Sequence, residues 1–75
     1  MTTKDKKIIE ESEANGTPIF VLTVKDLLSW KALQLYHTQC AHNLCNPDHL
    51  KGITNRMVEF KAWQKNNPDK VKLPD

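Results

Sequence analysis

The stretch Pro18-Ile19-Phe20-Val21-Leu22-Thr23-Val24 decides how the rest of this 75-residue chain is read. Its β-branched and aromatic residues, bounded by Gly16 and Pro18, have the composition of a strand, while the sequence on either side carries helical signals. A strand cannot satisfy its own backbone N–H and C=O groups, so it needs a neighbour. Two are available: the tail Val71-Lys72-Leu73, or a second copy of the chain. Phe20 and Leu22 are therefore expected at a contact, and the second option implies self-association.

Upstream, Thr2 or Thr3 is placed to cap a first helix running to about Ala14, where Gly16 and Pro18 end it. Ile8 and Ile9 are its only strongly apolar pair, so residues 1–15 are expected to fray. Downstream, Thr23-Val24-Lys25-Asp26 has the form of a capping box, predicting a helix from Val24 to about Leu44. At 100° per residue, Val24, Leu28, Ala32, Leu35 and Tyr36 share one face, and Trp30, Leu33, Cys40 and Leu44 a second. A helix with two apolar faces is expected to be sandwiched, within its own fold or between subunits. Trp30, Leu33 and Leu44 are the candidate subunit contact, since Trp suits interfaces.

Asn46-Pro47-Asp48 opens the last helix, with Asn46 as cap, Pro47 in the first position and Asp48 against the positive end of the dipole. Leu50, Ile53, Met57 and Phe60 form its seam. Gly52 within it is expected to mark the close approach of another backbone. Asn66-Asn67-Pro68 ends the helix and leaves 69–75 as an extended tail. The predicted fold is a single, mainly α domain over 1–75: an αα-hairpin of two long helices, preceded by a short helix and one short strand.

Composition narrows the functional classes. At 39% hydrophobic and 27% charged residues the chain suits a globular domain, but one so small is marginal without a disulfide, a metal or oligomerisation. No apolar run spans a membrane, the Lys-rich start lacks the apolar core of a signal peptide, and a cytoplasmic setting is expected. The net charge is +2, and Arg56 is the sole arginine, which argues against base readout in a DNA groove. Lys4, Lys6 and Lys7 are offset by Asp5, Glu10, Glu11 and Glu13.

His37, Cys40, His42, Cys45 and His49 are the group to test for metal, and a continuous helix would not let them converge; none is expected. It would also hold Cys40 and Cys45 about 7.5 Å apart along its axis and on different faces, beyond disulfide reach, so free thiols are expected. Cys40 with His37 carries no signature of a nucleophilic pair, and no enzyme activity is expected. Lys25, near a helix start, Arg56 and Lys72 are candidates to meet in a symmetric oligomer as an anion-binding pocket, with Tyr36 or Trp63 stacking on a base.

The Pro18-Ile19-Phe20-Val21-Leu22 strand, Lys25-Asp26, Tyr36, Glu59-Phe60-Lys61-Ala62-Trp63-Gln64 and the ending Asn67-Pro68-Asp69-Lys70-Val71-Lys72-Leu73-Pro74-Asp75 resemble a group of small phage and prophage accessory proteins. The resemblance covers residues 18–75 and transfers no catalytic residue. It implies a counter-defence setting, in which such proteins block a host factor or sequester a defence signalling nucleotide within a homo-oligomer. The expected function is thus a non-enzymatic homo-oligomer, without cofactor, binding a small anionic ligand between subunits. The alternatives are a protein-interaction module using the Trp30 face or a strand edge, and a weak DNA-binding accessory protein.

Overall fold

A computed structural model describes residues 2–74 and is mainly helical. Three helices, α1 (Thr3–Asn15), α2 (Ser29–His42) and α3 (Pro47–Asn66), precede a single 3-10 turn, Pro68–Lys70. Helices α2 and α3 form the expected αα-hairpin and pack along their length. No helix among the described residues is long and apolar enough to cross a membrane.

The ends of α1 and α3 are set by the predicted caps. Thr2 Oγ1 accepts from the Asp5 N–H and Asp5 Oδ2 from the Thr2 N–H, closing a capping box, and Gly16 takes the left-handed conformation (φ 68°) that ends α1. At α3, Asn46 Oδ1 accepts from the Asp48 N–H at 2.8 Å, while Pro47, lacking an N–H, leaves one fewer orphan donor.

Helix α2 begins five residues later than predicted, and the capping box from Thr23 does not form. Asp26 governs the start instead: its Oδ1 accepts from the Leu28 N–H at 2.8 Å, and its C=O from both the N–H (3.1 Å) and Oγ (2.7 Å) of Ser29. The physical reason lies in the tail. Leu27 N–H donates to Lys72 C=O (2.8 Å) and Lys72 N–H to Lys25 C=O (3.0 Å), an isolated parallel bridge between Asp26 and Lys72. Residues committed to that pairing cannot also open a helix.

The same bridge corrects the strand. The tail does pair with the chain, but at residues 25–27. Residues 17–23 are without regular secondary structure, and no strand forms among the described residues.

The core sits between α2 and α3. Cys40 and Ile53 are buried, and Ser29 is fully so. Leu50, Met57, Phe60 and Trp63 continue the α3 seam as half-buried side chains. Gly52 faces open space, so no passing backbone explains it.

Of the two faces of α2, the one carrying Trp30, Leu33 and Cys40 turns inward. Trp30 is half-buried, with the ammonium of Lys61 from α3 at 5.4 Å from its ring and that of Lys31 at 5.3 Å. Trp30 and Leu33 are thus part-covered within the single chain. Leu28, Leu35 and Tyr36 on the other face stay exposed, Leu35 at 68%. Leu44 is 91% exposed but stands beyond the helix, in the connection to α3.

Helix α1 buries no residue completely. It is tied down by Arg56 of α3, whose Nη2 lies 3.3 Å from Asp5 Oδ2 while Nη1 donates to Glu59 Oε2 at 2.9 Å. Hydrogen bonds from the side chain and backbone of Thr2, assisted by Arg56, hold the Asp5 carboxyl below its ordinary range. The sign follows: a depressed folded-state pKa contributes stability that is present above the ordinary carboxylate pKa and lost as pH falls through the lowered one. Acidification from pH 6 to about 3, spanning the ordinary Asp value near 3.9, should therefore loosen α1 before the hairpin. Far-ultraviolet circular dichroism compared with Asp5→Asn checks this: the variant should lose less helix over that interval. Equal losses would mean that Asp5 does not anchor α1.

Candidate functional site

The structure distributes the predicted ligand-binding residues rather than gathering them. The tail bridge sets Lys25 and Lys72 side by side, both exposed, on a shallow groove of about 300 Å³ that Phe20, Val21, Asp26 and Leu73 also line. Arg56 is not on this groove. It borders a second one, of about 580 Å³, between α1, residues 19–23 and the hairpin, where Ile8, Ile9, Leu22, Leu33 and Phe60 supply an apolar lining. There its charge is answered by Asp5 and Glu59. Trp63 is half-buried, and its C=O accepts from Asn67 Nδ2 at 2.9 Å. The Tyr36 hydroxyl stands 3.1 Å from His49 Nε2, the two rings edge to face. Within one chain, then, Lys25 and Lys72 share a surface, whereas Arg56, Tyr36 and Trp63 are held elsewhere by their own partners.

No three of the His, Cys, Asp and Glu side chains among the described residues gather at one point suited to a metal ion. Cys40 is buried, Cys45 and His37 half-buried, and His42 exposed.

What remains is the segment between the two grooves. Phe20 is 85% exposed, Val21 largely so and Ile19 about half, while Leu22 is half-buried. Thr17 N–H donates to Ser12 C=O, and Thr23 C=O accepts from Asp26 N–H, but no backbone group of residues 19–22 is hydrogen-bonded to the chain among the described residues. Gln64 fixes the downstream end, its Nε2 donating to Val24 C=O and Asp26 C=O, both at 3.1 Å. An apolar stretch with unused backbone donors and acceptors, anchored at both ends, is the arrangement that accepts an added strand. Ile19 and Val21 belong to this surface with Phe20 and Leu22. Their signal in the sequence was the strand composition itself.

Comparison with protein-family models, with curated proteins and with solved structures finds no match to this chain.

Proposed function

We propose that the chain is a non-enzymatic interaction module acting by strand addition through residues 18–23, its partner being a second copy of itself. The observation that carries this reading is the run of unpaired backbone groups at residues 19–22 beneath exposed Ile19, Phe20 and Val21. Two copies related by a two-fold axis present the same edge to one another, so each supplies the donors and acceptors the other lacks. The phage-type accessory role implied by the sequence resemblance is compatible with such a module, and a host protein offering an extended edge would use the same surface.

Light scattering coupled to gel filtration tests this. At micromolar concentration the wild type should run as at least a dimer of the 8.6 kDa chain. Val21→Pro, which deletes an N–H that has no partner among the described residues, should move it toward the monomer with helical circular dichroism unchanged. A wild type that stays monomeric on concentration, or a Val21→Pro protein that assembles as well as wild type, overturns the reading.

The reading as an anion-binding oligomer is favoured by one observation, the juxtaposition of Lys25 and Lys72 beside Phe20. A dimer paired through residues 18–23 would bring two such grooves near each other. A pocket for a nucleotide would then be assembled from Lys25 and Lys72 of both copies, without Arg56.

A further inference from the structure

The connection between α2 and α3 holds a second chemical feature, at the far end of α2 and about 20 Å from its start by helical rise. The chain leaves the helix at Asn43, and Leu44 adopts φ 55°. Leu44 N–H then donates to Ala41 C=O (3.2 Å) and Cys45 N–H to Cys40 C=O (3.0 Å). These nested bonds make a Schellman motif, in which the side chain after the left-handed residue folds back onto the one five positions earlier. Both of those positions are cysteine here. The continuous-helix geometry that would separate Cys40 from Cys45 is thus broken at Leu44, and the motif turns the two cysteine side chains toward each other. Cys40 is 5% exposed and Cys45 half-buried, so only Cys45 meets a solute readily. The Tyr36 hydroxyl, one turn before Cys40, stands 3.1 Å from His49 Nε2, and the Cys40 thiol holds the phenol above its ordinary pKa.

We propose that Cys40 and Cys45 form a site of reversible thiol oxidation, closing an intrachain disulfide by exchange with a low-molecular-weight disulfide. The Cys45 thiolate attacks one sulfur of that disulfide and expels a thiolate, leaving a mixed disulfide on Cys45. The Cys40 thiol gives its proton to solvent and attacks Cys45 Sγ, expelling the second small thiolate. The protein loses two electrons and two protons, and the small disulfide is reduced to two thiols. Burial, with the neighbouring Cys40, holds the Cys45 thiol above its ordinary range. The first step is therefore slow at neutral pH and accelerates close to tenfold per pH unit below that pKa. The product has no S–H to contact Tyr36 and no sulfur able to carry charge beside it, so the link between α2 and His49 is altered with the redox state.

The full-length protein, incubated with oxidised glutathione, supplies the test. Mass spectrometry should find a loss of two hydrogens, and a non-reducing peptide map should join Cys40 to Cys45 within one chain, with helical circular dichroism retained. Tyr36 is the only tyrosine, and its hydroxyl is held above its ordinary pKa first by the hydrogen bond to Cys40. Phenolate absorbance should therefore appear at lower pH in the oxidised protein than in the reduced one. Cys40→Ser should stop at one glutathione adduct on Cys45. Overturning results would be a wild type that also stops at glutathione adducts, one that cross-links only between chains, or one that forms the Cys40–Cys45 bond only when unfolded.

Discussion

Ile53→Ala is expected to destabilise the protein by about 2–5 kcal/mol, the range for truncating a buried aliphatic side chain. Ile53 and Cys40 are the buried apolar residues of the hairpin, so no larger cluster stands ready to collapse into the gap. A domain of this size has a total stability on the order of 4–11 kcal/mol, and the midpoint of thermal unfolding should fall by about 10 °C or more. Val58→Ala on the same helix is the control, since Val58 is exposed; it should change stability by less than about 0.5 kcal/mol. Similar losses at the two positions would show that the hairpin does not close around Ile53.

Gln64→Leu should cost about 1–3 kcal/mol although it removes no charge and little volume. Its amide answers the carbonyls of Val24 and Asp26 and lies 3.5 Å from Ser29 Oγ. Without it the Val24 carbonyl loses its donor, while Asp26 C=O keeps those of Ser29, and an unsatisfied part-buried acceptor costs its desolvation. The effect should be regional: amide exchange should quicken at Leu27, whose N–H bonds Lys72, and at the first turn of α2, more than in the middle of α3. Gln64→Glu should be worse than Gln64→Leu, because a carboxylate would face two carbonyl oxygens. A Glu variant as stable as wild type would mean that the amide is not the clasp.

These two residues show what was legible in the chain. Ile53 stood in a seam with Leu50, Met57 and Phe60, and a seam predicts which face is buried because periodicity is a local property. The caps at Thr2, Gly16 and Asn46 were legible for the same reason. Gln64 carried no such mark, since its partners lie some forty residues away. The start of α2 was misread where a local signal at Thr23 competed with the tail pairing at residues 25–27, which depends on the tertiary fold. The two faces of α2 were both visible, but which one meets α3 is fixed by the hairpin, and Trp30 went inward. Of the candidate site, the apolar segment was legible and its lack of an internal partner was not. The approach of Cys40 to Cys45 rested on one left-handed leucine, a conformation that sequence assigns to glycine or asparagine first.

The clasp at Val24 to Asp26 also sets an order of assembly. The hairpin brings together residues such as Tyr36 and His49, thirteen positions apart, across a short connection. The clasp joins groups three times farther along the chain. Loop-closure entropy rises with that separation, and local contacts form first in small helical proteins. The hairpin should therefore exist before residues 18–23 are fixed in place. During that interval their free backbone edge is at its most mobile and most available to a neighbour, so if the proposed strand addition holds, a nascent chain synthesised beside another copy would meet it before it had finished folding.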